Sequence, residues 1–154
     1  MKKLKTMKKL FIILSFSIIL IGCSQNRVNE YWDNGKLKTE YSYDNEDIMV
    51  GYKEYYENGQ LKSEITMPLP IRYYYRTGEL EYEIFLENGK NNEINYFQDG
   101  GIERETVKDL KTKISIDKMY FKNGQLRFET QETETSILSE RCWSKDGNEI
   151  ECEN

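Results

Sequence analysis

Six segments of this chain carry one short pattern: an aromatic residue, three further residues, a glycine and, in most copies, an aliphatic residue two positions on. They read YWDNGKL (31–37), YYENGQL (55–61), YYRTGEL (74–80), YFQDGGI (96–102), YFKNGQL (120–126) and a drifted WSKDGNEI (143–150). Their glycines, Gly35, Gly59, Gly78, Gly100, Gly124 and Gly147, lie 24, 19, 22, 24 and 23 residues apart. A period in the low twenties restricts the fold to a repeat architecture, in which each unit is one supersecondary element resting on the next.

Asn-Gly or Asp-Gly between apolar residues signals a hairpin, because glycine takes a positive φ without steric cost. For Tyr120-Phe121-Lys122-Asn123-Gly124-Gln125-Leu126 two registers are open. A two-residue turn at Asn123-Gly124 sets Phe121 opposite Leu126. A three-residue loop with a bulge at the glycine sets Tyr120 there instead. In either register the adjacent rings fall on opposite faces, since side chains alternate along a strand.

The segments between the turns also read as strands. Lys113 to Met119 alternates apolar and polar residues, and Glu79 to Leu86 runs into a second turn signal, Glu87-Asn88-Gly89-Lys90. Glu129 to Ser136 is Thr-rich and polar, which suits a solvated edge strand. Met67-Pro68-Leu69-Pro70 cannot be a central strand, because proline has no amide to donate, so a bend or truncated connection falls there. No stretch shows the 3.6-residue period of a useful helix. The expected fold is all-β: an elongated antiparallel meander of about six hairpin repeats over residues 30–154, behind a helical signal segment. The polar last repeat, from Glu140 on, is expected to cap one end.

Residues 1–22 read as a lipoprotein signal peptide. Lys2, Lys3, Lys5, Lys8 and Lys9 precede the apolar run Leu10 to Ile21, which is shorter than the roughly 20 residues a spanning helix needs. The run ends in Leu20-Ile21-Gly22-Cys23, which resembles a bacterial lipobox. That resemblance implies cleavage between Gly22 and Cys23 and lipidation of Cys23, with residues 23–29 as a lipidated Cys and short tether. Several acyl chains on one residue give stable membrane attachment on the extracytoplasmic side of the cell envelope.

Without the signal the chain keeps 17 of its 22 Lys and Arg against all 27 Asp and Glu, a formal charge of −10. Such a surface argues against nucleic acid, which is bound by neutralising phosphates. Leu, Ile, Val and Phe make up 25 of these 132 residues, just under the share at which a charged chain is expected to be disordered. The 12 Tyr and 2 Trp outweigh this, because they sit at fixed repeat positions and bury large areas.

The copies YYENGQLKSE (55–64), YWDNGKLKTE (31–40) and YFKNGQLRFE (120–129) closely resemble the MORN-repeat variant family. The resemblance extends over nearly all of the chain behind the tether. It departs at Thr77, which replaces the turn asparagine, and at the doubled Gly100-Gly101. The family implies twisted β-hairpin arrays, and many of its bacterial members carry an antitoxin label. The spacing of the original MORN repeat is not matched, so its proposed phospholipid binding is not carried over.

Nothing in the sequence assembles catalytic chemistry. There is no histidine, which removes the commonest general base and metal ligand. Carboxylate pairs such as Glu54 with Glu57 and Glu103 with Glu105 are expected by chance among so many acids. Asp44-Asn45-Glu46-Asp47 lacks the glycine and terminal glutamate of a calcium loop and reads as a solvated acidic turn. No cofactor or metal is expected. Cys142 and Cys152 flank the last turn and are the expected disulfide in an oxidising compartment.

The second aromatic of each pair, Trp32, Tyr56, Tyr75, Phe97 and Phe121, is expected mainly in packing, with an open ring row as a possible partner surface. The functional expectation is a non-catalytic, lipid-anchored β-repeat scaffold that engages a protein in the envelope. The alternatives are an immunity-type protein that neutralises a toxin there, and a cell-wall glycan-binding module.

Overall fold

The computed structural model describes residues 26–152. The signal peptide, the Gly22–Cys23 junction and lipidation at Cys23 lie outside the described residues. The chain forms one twelve-stranded sheet whose strands lie side by side in sequence order, each antiparallel to the next. They are β1 (Asn26–Tyr31), β2 (Leu37–Tyr43), β3 (Met49–Tyr55), β4 (Leu61–Thr66), β5 (Ile71–Tyr74), β6 (Leu80–Glu87), β7 (Lys90–Tyr96), β8 (Ile102–Asp109), β9 (Ser115–Tyr120), β10 (Leu126–Glu132), β11 (Ile137–Trp143) and β12 (Glu149–Ile150). Every strand touches only its neighbours in sequence. The expected all-β meander of two strands per repeat is present. The sheet starts earlier than expected, because residues 26–29, read as tether, already belong to β1.

The six repeat turns share one edge of the sheet and resolve the register question. Phe121 N–H donates to the Gln125 carbonyl, Gly124 N–H donates to the Phe121 carbonyl, and Tyr120 stands opposite Leu126. This is the three-residue loop with a glycine bulge, and Gly124 sits at φ +83°. The asparagine locks it, because Asn123 Oδ1 accepts the Gln125 N–H at 3.2 Å and Asn58 Oδ1 accepts the Gln60 N–H at 3.0 Å. The Asn88-Gly89 turn on the opposite edge differs. Glu87 pairs directly with Lys90, and Asn88 and Gly89 both have positive φ, 51° and 75°, as a two-residue type I′ turn requires.

A second irregularity recurs just past each turn in the first five repeats. Tyr31 faces Leu37 but Glu30 faces Thr39, so Lys38 is an extra residue. Lys62, Glu81, Glu103 and Arg127 are extra in the same way. Each is the charged residue directly after the repeat's aliphatic position.

One strand expectation changes and one holds. Thr133 to Ser136 forms the β10–β11 turn, and residues 129–132 belong to β10, an interior strand rather than a solvated edge. Thr130, only 8% exposed, gives its hydroxyl to the Ser139 carbonyl at 3.1 Å, which is how so polar a strand is satisfied inside the sheet. The proline segment 67–70 is the expected bend, linking β4 to the four-residue β5.

The sheet is a single layer. No hydrophobic side chain among the described residues is buried; the buried ones are Thr39, Ser63, Asp117 and Thr130. Order therefore rests on the backbone ladder and on half-buried contacts between adjacent strands, a quasi-one-dimensional arrangement.

Candidate interaction surface

Strand alternation gives the sheet two unlike faces. One, the ring face, carries the second aromatic of each repeat beside the turn edge. Trp32 Nε1 donates to the Tyr55 carbonyl at 3.2 Å, Tyr56 Oη to the Tyr74 carbonyl at 2.9 Å, and Tyr75 Oη to the Tyr96 carbonyl at 2.7 Å. Each ring thus reaches the first aromatic residue of the next repeat. Phe97 and Phe121 hold the same position without a polar atom. All five rings are half-buried. The extra residue of the repeat stacks on two of them: Lys38 Nζ is 5.1 Å from the Trp32 ring centre and the Arg127 guanidinium 5.8 Å from that of Phe121.

The turns are linked too. Asn34 and Asn58 donate their side-chain amides to the Glu57 and Arg76 carbonyls of the following turn, at 3.3 and 3.0 Å, and Asn123 reaches Lys145 O at 3.3 Å. The substituted repeats keep a connection by other chemistry: Gln98 donates to the Thr77 hydroxyl, and Lys122 pairs with Asp99 at 3.5 Å. The turn asparagine therefore shapes its own loop and fastens it to the next.

Farther from the turns, the ring face divides. Val28, Tyr41, Tyr52, Ile65, Ile71 and Ile84 are successive cross-strand neighbours from β1 to β6, an uninterrupted apolar stripe. Tyr41 and Tyr52 pack with ring centres 5.2 Å apart, and Tyr73, 41% exposed, lies 6.0 Å from Tyr82 beside the stripe. From β7 on, the same row reads Glu93, Thr106, Asp117, Thr130 and Glu140. There Arg104 grips Asp117 with two bonds, 2.7 and 2.9 Å, and the Thr106 hydroxyl adds a third at 2.8 Å.

The opposite face carries alternating charge. Cations come from odd strands (Arg27, Lys53, Arg72, Lys118, Arg141) and carboxylates from even ones (Glu40, Glu64, Glu83, Glu105, Glu129). Bridges include Arg27–Glu40 at 3.4 Å, Lys53–Glu64 at 2.9 Å and Arg72–Glu83 at 3.2 Å, with Arg141 on Glu129. The glutamates are the last residue of the G-x-L-x-x-E stretch, so this ladder is written into the repeat. It breaks at β7, where Ile94 stands in the cation position between Glu83 and Glu105.

The shifts that the surroundings impose run away from neutrality. Lys53, Lys62 and Arg104 are raised first by their hydrogen bonds to Glu64, Glu54 and Asp117. Burial raises Tyr52, Tyr74, Tyr82 and Tyr120. Tyr96 is pushed up to about 12, first by burial and then by its bond to Glu83. Glu54 is held by Lys62 at 2.8 Å rather than paired with Glu57. Asp44 Oδ1 accepts the Glu46 and Ile48 amides, both at 2.9 Å, so that acid shapes the β2–β3 turn.

At the carboxyl end, Cys142 and Cys152 are disulfide-bonded, with Cα atoms 5.3 Å apart. The last turn uses the same three-residue loop, so Cys142 faces Ile150 and the bond runs to the residue two further on. Glu140 lies close to both sulfurs, but sulfurs spent in a disulfide do not ligate a metal. The ring row was legible in the sequence. The split stripe and the ladder break depend on pairing register, which only the structure supplies.

Two segments, residues 26–45 and 52–67, match the model for the MORN repeat variant. They cover β1 to β2 with the turn that follows, and most of β3 with β4. Comparison with curated proteins gives no match to the chain.

Proposed function

Starting from a chain built of MORN-repeat variants, repeats that generally serve interaction with proteins or membranes, we propose that this protein is a non-catalytic scaffold, lipid-anchored through Cys23 in a bacterial cell envelope. Its protein partner contacts the amino-terminal half of the ring face. The observation that carries this reading is the apolar stripe from Val28 to Ile84, which spans six strands of a single-layer sheet and has nothing packed over it among the described residues. Contiguous apolar surface of that kind marks interaction sites. The lipobox places the anchor only a few residues before β1, and the acidic remainder keeps the molecule off anionic surfaces. The glycan alternative gains no support, since Trp32, Tyr56 and Tyr75 spend their polar atoms on the next repeat.

A photo-crosslinking residue at Tyr73, compared with one at Lys118 on the opposite face, tests the partner. The expected result is a discrete protein adduct from position 73 alone, in envelopes of cells carrying the full chain. Equal adducts at both positions, or none at 73, overturn the surface assignment. Cys23→Ser is expected to abolish acyl labelling and release the protein from the membrane fraction. Retention of both overturns the anchor.

A further inference from the structure

The two ends of the sheet are finished differently. At the carboxyl end of the described residues, β12 is two residues long, and Cys152, two residues beyond it, is disulfide-bonded to Cys142 of β11. Natural sheets blunt their edges in this way, with a short last strand. At the amino end, β1 is six residues long, every one exposed, with no proline or lysine. Tyr31 is 61% exposed and Val28 52%, whereas the equivalent first aromatics Tyr55, Tyr74, Tyr96 and Tyr120 are half-buried. Among the described residues, each of those four has a strand on both sides, and Tyr31 has one.

The hydrogen-bond phase of this edge follows from the turn. Trp32 N–H donates to the Lys36 carbonyl, so Glu30, Val28 and Asn26 direct their backbone groups toward β2. Arg27, Asn29 and Tyr31 direct theirs outward. We propose that β1 is a self-association edge, pairing antiparallel with β1 of a second copy about a two-fold axis through Asn29. Each outward residue then meets an outward residue: Asn29 meets Asn29, and Arg27 meets Tyr31 of the second copy, with two backbone bonds exchanged in each pair. The side chains fit this register. On the charged face, the Arg27 guanidinium lies across from the exposed Tyr31 ring, a cation–ring contact of the kind already made by Lys38 on Trp32. No like charges stand opposite one another.

A two-fold axis perpendicular to the sheet keeps the ring faces on one side, so the apolar stripes of the two copies become parts of one surface. The β1–β1 pairing is isologous, and the two-residue β12 offers little backbone for head-to-tail growth, so association closes at two. This inference is independent of the envelope reading: a monomer here leaves the Tyr73 crosslinking result untouched, and the reverse holds as well.

The full lipidated chain in detergent, followed by sedimentation equilibrium, is expected to be a dimer with micromolar dissociation. Asn29→Pro removes the central outward amide, while proline is tolerated at an edge whose N–H faces away from the sheet. It is expected to weaken the dimer by at least about tenfold, a loss of roughly 1.4 kcal/mol, with unchanged circular dichroism. Asn29→Cys is expected to oxidise to a covalent dimer, since directly paired residues lie within disulfide reach. Val28→Cys, off the axis, is expected to do so far more slowly. A monomer at all accessible concentrations overturns the proposal, as does a dimer that survives Asn29→Pro. Faster crosslinking at position 28 overturns the register and with it the Arg27–Tyr31 contact.

Discussion

Reducing the Cys142–Cys152 bond, or replacing both residues by serine, tests whether stability here is local. The bond closes a loop with a sequence separation of 10. In the chain-entropy account, a loop of that size stabilises by roughly 2.7 kcal/mol at room temperature. In a globular domain that loss would fall on the whole fold. Here β12 touches only β11, and β11 only β10 and β12, so the loss is confined to the terminal hairpin. Hydrogen exchange read by mass spectrometry on oxidised and reduced protein is the assay. The expected result is a fall of about a hundredfold in protection for residues 137–150, since about 1.4 kcal/mol is a factor of ten. Protection in β2 to β8 is expected to stay within a factor of two or three. A uniform fall across all strands would refute the argument, because it would show the sheet opening as one unit. Unchanged protection at 137–150 would refute the entropic estimate.

Other outcomes follow from the same geometry. Arg104→Met strands the Asp117 carboxylate, 6% exposed, with only the Thr106 hydroxyl. Arg104 is itself half in water, so the cost is set below the usual buried-pair figure, at about 1–3 kcal/mol by urea denaturation. Asp117→Asn is expected to cost less, because it removes the buried charge as well. Gly124→Ala and Gly51→Ala should differ in sign. Gly124 sits at φ +83° with open space around an added Cβ, so strain alone costs about 1–2 kcal/mol. Gly51 has no such φ and only ordinary contacts, the nearest 3.5 Å away, so alanine there is expected to be neutral or to stabilise by up to about 1 kcal/mol. Matching losses at both would count against the backbone argument. Alkali should loosen the sheet. Tyr96 keeps its proton to about 12 when folded, while in the unfolded chain it ionises near 10. Its contribution is therefore complete below about pH 10 and is lost as pH rises toward 12. Stability measured across that window is expected to fall, and to fall less steeply in Tyr96→Phe; identical slopes would exclude Tyr96 as a cause.

The sequence alone determined the number of hairpins, the turn positions, the two-strand repeat and the pair of cysteines that flank the last turn. All of these depend on a few residues near one another in the chain: a glycine that accepts positive φ, an asparagine that closes its own loop, a proline that cannot donate. The chain could not show which face each side chain occupies. Residues 129–136 looked like an edge strand because their polarity is local, but their position in the sheet order is not. The recurrent extra residue at Lys38, Lys62, Glu81, Glu103 and Arg127 shifts the pairing by one, and a one-residue shift exchanges faces. Only once that register was fixed did Val28, Tyr41, Tyr52, Ile65, Ile71 and Ile84 fall into one stripe, and Ile94 into a gap in a row of charges. Tertiary structure also decided which described strands end the sheet, the six-residue β1 and the two-residue β12, because a strand's place in the sheet order is not a local property of its residues.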